Sequence, residues 1–263
     1  MEIKDKVFVV TGGGNGIGRH VTLELLARGG RVAAVDLRPD GLEKTRELAH
    51  PYERGLTTHV LDVTDNGAVE GLPGTVLEAH QQIDGVINVA GIIHRFAPLA
   101  ELSREELERI VDVNFWGTIN TTLAFLPTLR SRPVAAIVNI SSLSALVAFA
   151  GQGFYGATKG AVKQFSEGLY EELIDTNVAV TTVFPGNIST DISGNSGVKM
   201  IDSGGRNVPA TTPERTAREI VAGIGKGSFR VLIGTDARLL DKLARIAPGL
   251  ATRIVAKQMK AVL

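Results

Sequence analysis

Apolar residues along the chain fall into short blocks separated by longer stretches of mixed character. The blocks are "VFVVT" (7–11), "RVAAVDL" (31–37), "TTHVLDV" (57–63), "GVINVAG" (85–91), "AAIVNIS" (135–141), "VAVTTVFP" (178–185) and "RVLIG" (230–234). The first few are rich in β-branched residues and almost continuously apolar, as strands covered on both faces should be. Between the blocks lie amphipathic stretches of helical period, such as "REELERIVDVNFWGTINTTLAFL" (104–126). Strand–helix alternation of this kind predicts an α/β fold: a Rossmann-like, doubly wound parallel sheet of about seven strands with helices on both faces, joined by right-handed crossovers.

Two regions depart from the alternation. Residues 186–212 carry five glycines among small polar residues, which predicts a substrate or lid loop. Beyond Asp236 the chain is amphipathic and basic. Leu239, Leu240, Leu243 and Ile246 stand at helical spacing, and residues 237–263 hold six basic side chains against one acid, Asp241. Pro248 and Gly249 split this 236–263 extension into two short helices, which favours a lid or a packed contact over a membrane-surface helix. With neither a repeat nor a linker, residues 1–263 are expected to form a single dinucleotide-binding domain.

Composition narrows the function classes. Lys plus Arg equals Asp plus Glu at 28 each, so bulk charge gives nucleic acid no foothold. The absence of cysteine excludes a disulfide framework and thiolate catalysis. No apolar run reaches membrane-spanning length, and the N-terminus lacks a signal-peptide pattern. A cytoplasmic protein without a resident metal is the expectation.

"TGGGNGIG" (11–18) follows the first strand and opens a helix. Glycines allow a tight turn and close approach of backbone to ligand, and a helix N-terminus presents free N–H groups to a pyrophosphate. Asp36 ends the second strand, where a carboxylate accepts hydrogen bonds from ribose hydroxyls and repels a 2′-phosphate. That favours NAD over NADP, although Arg38 nearby could accommodate a phosphate. In such sheets the ligand sits at the carboxyl ends of the strands. Asp62 and Val63, Asn88, Ala90 and Gly91, Ser141 and Ser142, and Pro185 and Gly186 all fall there. Further along, Tyr155 and Lys159 are four apart in "FYGATKG" and share a helix face. A phenol titrating near pH ~10 is a poor base near neutrality, and an adjacent ammonium stabilises the phenolate. Taken alone, such a pair is commonly a tyrosine packed on a lysine stem. Ser142, thirteen residues earlier, could hold a carbonyl oxygen beside the phenol.

These pieces, with "LDV" (61–63), "NVAG" (88–91), Asn114 in "VNFWGT", "NISS" (139–142), "YGATK" (155–159) and "PGNIST" (185–190), occur in an order and spacing that resembles the short-chain dehydrogenase/reductase family in its single-domain form, over roughly residues 5–235. Two departures are small: Val89 stands where a second asparagine is frequent, and Thr158 where a serine is frequent. The resemblance implies Tyr155 as general acid/base and Lys159 as the group that lowers its pKa and binds the nicotinamide ribose. Ser142 would orient the substrate oxygen, and Asn114 would hold a water linking Lys159 to solvent. It implies Gly12, Asn15, Gly16, Ile17 and Gly18 around the pyrophosphate, Asp36 at the ribose, and Asp62 and Val63 by the adenine. Asn88, Ala90 and Gly91 would lie along the cofactor, and Pro185, Gly186, Ile188 and Thr190 by the nicotinamide. The expected activity is NAD(H)-dependent interconversion of a secondary alcohol and a ketone, in a homotetramer or homodimer built through 104–126 and 155–175. Residues 143–154 are mostly apolar, with Gln152 and His94 as polar candidates, so a largely apolar substrate is expected. His94 by itself reads as a surface-loop histidine. Two rival readings are a non-catalytic dinucleotide sensor and a sugar-nucleotide epimerase or dehydratase. The joint presence of Ser142, Tyr155 and Lys159 argues against the first. The short chain after the last strand argues against the second.

Overall fold

The computed structural model of the protein describes residues 1–189, 196 and 210–259. Its centre is a parallel sheet of β1 (Val7–Thr11), β2 (Arg31–Asp36), β3 (Leu56–Val60), β4 (Gly85–Asn88), β5 (Ala135–Ile140), β6 (Val178–Pro185) and β7 (Arg230–Ile233). The spatial order is β3-β2-β1-β4-β5-β6-β7. All seven apolar blocks form strands. The third and fourth stop short of their expected ends, at Val60 and Asn88, so Asp62, Val63, Ala90 and Gly91 lie in the loops just beyond. No neighbouring strand pairs with these loops, and side chains such as Thr11 and Asn120 bond part of their backbone instead.

Period-two alternation sends β1 side chains to two separate cores. Phe8 and Val10 join Val21 and Leu25 of α1 (Gly16–Ala27) on one face, together with Ile220 and Ile224 from the 213–226 helix. Val7 and Val9 point the other way, toward Val76 of α3 (Asn66–His80), Phe125 and Leu129 from the 117–130 helix, and Leu169 from the 153–173 helix. The remaining helices are α2 (Pro39–Leu48), α4 (Arg104–Val111), α5 (Gly117–Arg130), α6 (Gly153–Leu173), α7 (Pro213–Lys226), α8 (Thr235–Ile246) and α9 (Pro248–Met259). Pro248 does divide the C-terminal stretch into two helices, because its ring cannot continue α8.

The stretch 104–126 is not one regular helix. Asp112–Trp116 forms a π-helical turn between α4 and α5, with the Gly117 N–H reaching back to the Asp112 carbonyl. One extra residue in a turn widens it and rotates the side chains that follow. Asn114 sits in that turn, fully buried.

The chain runs β1, β2, β3 in one direction and then returns to place β4 against the other side of β1. Thr11 pairs with Val35 on one side and Asn88 on the other. Connections leave β1 and β4 in opposite directions, which opens a crevice above their carboxyl ends. Thr11 Oγ1 accepts hydrogen bonds from the Val89 and Ala90 N–H groups at 3.1 and 3.2 Å, fixing one wall of that crevice to the other.

Candidate functional site

The crevice is a cleft of ≈ 530 Å³ lined by Gly12, Asn15–Gly18, Asp36–Arg38, Leu61–Thr64, Val89–Ile92 and one face of α4. Its floor is the turn from β1 into α1. Gly12 has φ +68°, and a Cβ on Gly18 would lie 2.1 Å from the Gly12 carbonyl oxygen, so only glycine lets the helix start so close to the strand end. At one end the Asp36 carboxylate accepts from the Gly14 N–H (2.9 Å) and the Arg38 N–H (3.0 Å). These bonds hold it at the cleft rim beside Leu37 and Arg38. Asp62 forms a tight turn with Thr64, whose N–H and hydroxyl both donate to Asp62 Oδ1. Val63 packs over Gly117, where a Cβ would come within 2.6 Å of Val63 Cγ2. Glycines at the floor, an acid at the rim and the loop after β4 along the far wall fit a dinucleotide laid across the crevice.

Asn88 does not line this cleft. Its side chain turns into the protein, where Nδ2 donates to Thr122 Oγ1 (3.0 Å) and Asn139 Oδ1 (2.8 Å), and Asn139 Nδ2 donates on to Ser166 Oγ (2.9 Å). The result is a buried polar chain tying β4, β5, α5 and α6 together. The Asn88 side chain thus serves the core, and the residues that follow it, Val89–Ile92, border the cleft.

The other end of the cleft meets the second cluster at Gly91. A Cβ there would lie 3.1 Å from Lys159 Nζ and 3.2 Å from Asn114 Oδ1. Asn114 grips the next residue with both ends of its amide: Oδ1 accepts from the Ile92 N–H (2.8 Å) and Nδ2 donates to the Ile92 carbonyl (3.0 Å). Lys159 is buried and donates to the Ile140 carbonyl at 3.0 Å. Ser141 Oγ donates to the Lys159 carbonyl (2.8 Å), which fastens α6 to the end of β5. Ser142 Oγ accepts from the Ser144 N–H at 3.1 Å and also hydrogen-bonds the Tyr155 phenol. Helix α6 thus carries Tyr155 and Lys159 on one face, and β5 presents Ser142 to it.

Burial dominates the electrostatics of the pair. Burial raises the Tyr155 pKa above its ordinary value, and the hydrogen bond from Ser142 only partly opposes this. Lys159 is desolvated as well, which lowers its own pKa to about 8, and its ammonium is turned to the Ile140 carbonyl.

Pro185 ends β6, and the Gly186–Asn187 turn closes on Asp236. The Asn187 N–H donates to Asp236 Oδ2 (2.7 Å), and a Cβ on Gly186 would lie 2.3 Å from either carboxylate oxygen. Ile188 pairs with Thr211. Thr190 lies outside the described residues, as does most of the 186–212 loop. Ser196 from that loop is described, and its Oγ accepts from the Ile93 N–H at 2.9 Å. A second cavity of ≈ 330 Å³ is bordered by His94 and by residues 148–151, 153 and 154. Ala97, Leu99, Phe149 and Phe154 are among its walls, and Thr252 and Ala256 of α9 close it, so the C-terminal extension packs over this region.

His94 is a correction. It is not a surface histidine but 4% exposed, walled in by α6 and the 149–152 turn. Sequence reasoning also missed the clamps made by Thr11 and Asp236. The polar end of a buried strand was a signal for the first, and nothing local signalled the second.

Comparisons with known proteins agree with this geometry. A family model described as short chain dehydrogenase matches residues 6–200. The chain is 37% identical over 260 residues to the putative oxidoreductase SadH of Mycobacterium tuberculosis, covering 95% of this chain and 94% of the relative. It is 30% identical over 241 residues to 1-deoxy-11-beta-hydroxypentalenate dehydrogenase of Streptomyces avermitilis, covering 90% and 88%. A Burkholderia phymatum short-chain dehydrogenase/reductase solved in complex with NAD superposes with a TM-score of 0.85 at 22% identity, over 96% of this chain and 97% of that one. ElxO, solved with NADP bound, superposes with a TM-score of 0.77 at 26% identity, over 87% and 96%.

Proposed function

The chain belongs to the short-chain dehydrogenase family of oxidoreductases, and from that premise we propose that it interconverts a secondary alcohol and its ketone with NAD(H), acting on a largely apolar substrate. The reading rests on the junction at Gly91, where the dinucleotide cleft meets buried Ser142 and Lys159 and half-buried Tyr155. Gly12, Asn15, Gly16, Ile17 and Gly18 would hold the pyrophosphate on the first turn of α1. Asp36 would take the ribose hydroxyls, and the choice of NAD over NADP follows from its charge. The preference is this chain's own to establish, because one solved neighbour holds NAD and another NADP.

When bound, the nicotinamide supplies or accepts the hydride. Ser142 Oγ hydrogen-bonds the substrate oxygen and holds it next to the phenol. In reduction Tyr155 gives its proton to that oxygen as hydride reaches the carbon. In oxidation it takes the proton back. Burial keeps the phenol protonated at rest, which suits the acid role. Lys159 remains cationic below about pH 8 and offsets the phenolate as it forms. Asn114, beside Gly91 and Lys159, would hold a water linking the lysine to solvent. The apolar walls around 148–154 support the substrate class. The chain acts as one dinucleotide-binding unit, with helices 104–126 and 155–175 forming the contact in a homodimer or homotetramer.

The test is a panel of alcohols and ketones assayed with NAD(H) and NADP(H). Tyr155→Phe is expected to lower kcat by roughly 10²- to 10⁴-fold while dinucleotide affinity holds. Turnover surviving in that variant removes the mechanism, a strong NADP preference removes the reading of Asp36, and dinucleotide binding without turnover across the panel returns the sensor reading.

A further inference from the structure

Helix α6 begins without a cap from its own N-terminal residue, since Gln152 makes no side-chain hydrogen bond to the first turn. The first N–H groups of a helix need partners from elsewhere. The third of them here belongs to Tyr155 itself, and it donates to His94 Nε2 at 3.3 Å, across 61 positions of sequence. The other ring nitrogen, Nδ1, lies 2.7 Å from the Arg95 carbonyl oxygen. A carbonyl only accepts, so the proton sits on Nδ1 and the Nε2 lone pair faces the helix. Gln152 Nε2 in turn donates to the His94 carbonyl at 2.8 Å. His94 and Gln152 are each 4% exposed, so water does not compete for these bonds. The ring follows Gly91 by three residues, and Asn114 pins Ile92 in between. The segment 91–94 therefore joins the end of the dinucleotide cleft directly to the backbone of Tyr155.

We propose that His94, neutral and protonated on Nδ1, is a positioning residue that caps α6 and sets where the Tyr155 phenol stands relative to the Gly91 end of the cleft. The proposal rests on the catalytic role of Tyr155 given above. A neutral ring can accept the Tyr155 N–H, whereas a protonated ring has donors on both nitrogens and adds positive charge at the positive end of the helix. The charged and titratable groups around the ring reinforce this. From its own loop, Arg95 turns its guanidinium to Glu106 of α4 (2.9 Å) and to the Glu101 carbonyl. From α6 come the Tyr155 phenol and the Lys159 ammonium. Gln152 carries no charge, and neither do Thr252 and Ala256 of α9, which share the adjoining cavity. The anions among these are Glu106 and Glu101, and Arg95 pairs with both carboxylates, at 2.9 and 3.9 Å. Uptake of a proton by the ring thus releases the cap.

Reduction of a ketone separates this effect from the titration of Tyr155, whose proton-bearing form persists as pH falls. kcat is measured in the reductive direction over about pH 8 to 5. The wild-type enzyme is expected to lose kcat toward acid with the KM for NADH unchanged. His94→Leu should lower kcat about tenfold or more at the neutral end of the range, the scale of a lost cap, and the two enzymes should converge toward acid. His94→Gln offers a carbonyl that does not titrate, so it should recover kcat relative to the leucine variant and lack the acid limb. Hydrogen exchange at the Tyr155 amide gives a readout independent of turnover: protection is expected in wild type and His94→Gln and lost in His94→Leu. An acid limb that persists in His94→Gln, or wild-type kcat and amide protection in His94→Leu, overturns the proposal. If His94→Leu does not fold, the glutamine variant and its pH profile decide the matter. Activity surviving in Tyr155→Phe would remove the catalytic reading itself, whereas an inactive Tyr155→Phe beside a fully active His94→Leu removes the positioning role alone.

Discussion

Lys159 is buried and Tyr155 half-buried, and desolvation favours the neutral form of each, so the phenol titrates higher and the ammonium lower. The lysine carries a consequence for stability. In the folded protein Lys159 loses its proton near about pH 8, while in the unfolded chain it holds it to its ordinary 10.5. Between those values the unfolded state binds more protons, so the folded state gains stability as pH rises through that window. Below it the buried cation is a standing cost. Thermal melts of wild type and Lys159→Met across pH 7 to 11 should therefore show the difference in Tm moving in favour of wild type from about pH 8 upward. A difference flat across that window would mean the ammonium is not desolvated. At this scale the types and spacing of Ser142, Tyr155 and Lys159 were legible, because the chemistry demands those side chains on one strand end and one helix face. His94 was not legible, because its part depends on a helix start 61 positions away.

Two elements shape the site, and they differ in how openly the chain declares them. The turn from β1 into α1 is written in its glycines, but which glycines are obligatory depends on contacts. A Cβ at Gly18 would be driven into the Gly12 carbonyl, whereas one at Gly74, exposed in α3, would meet nothing within 4 Å. Gly18→Ala should lower stability by about 1–3 kcal/mol and weaken NADH binding at least tenfold in a fluorescence titration. Gly74→Ala should raise stability by about 0.4–1 kcal/mol and leave binding alone. Equal behaviour of the two variants would contradict the close approach at Gly18. The π-helical turn at Asp112–Trp116 is the opposite case. The amphipathic pattern of 104–126 reads as one helix, and the extra residue becomes visible only where Asn114 reaches across to Ile92. A local period cannot report it, because the turn is held by the loop after β4 rather than by its own sequence.

Across the whole molecule the sheet separates function from support. The cleft and the Ser142, Tyr155 and Lys159 cluster sit above the carboxyl ends of the strands. At the opposite end Asp84, fully buried, gathers the start of the sheet: it accepts from the Val7 N–H (2.9 Å), Gln82 Nε2 (2.9 Å) and Arg132 Nε (2.9 Å), with Lys6 at 3.7 Å. Removing one member of such a buried charge group strands the others, so Asp84→Ala should cost about 3–5 kcal/mol by chemical denaturation. The kcat/KM of the folded fraction should stay at the wild-type value, and a matching loss of kcat/KM would show that the two ends of the sheet are coupled. By itself the sequence determined the α/β alternation, all seven strands to within a few residues, the glycine turn, Asp36 at the end of β2 and the split of the C-terminal helices. Each of these depends on periodicity or on residues close in the chain. Only the tertiary structure decided that β4 lies against β1 and opens the crevice. It also decided that Asn88 faces the core, that Asp84 gathers the sheet and that His94 meets Tyr155. Those outcomes depend on which distant polar groups find partners once water is excluded, and a buried donor or acceptor takes its partner from whatever the packed fold brings within reach.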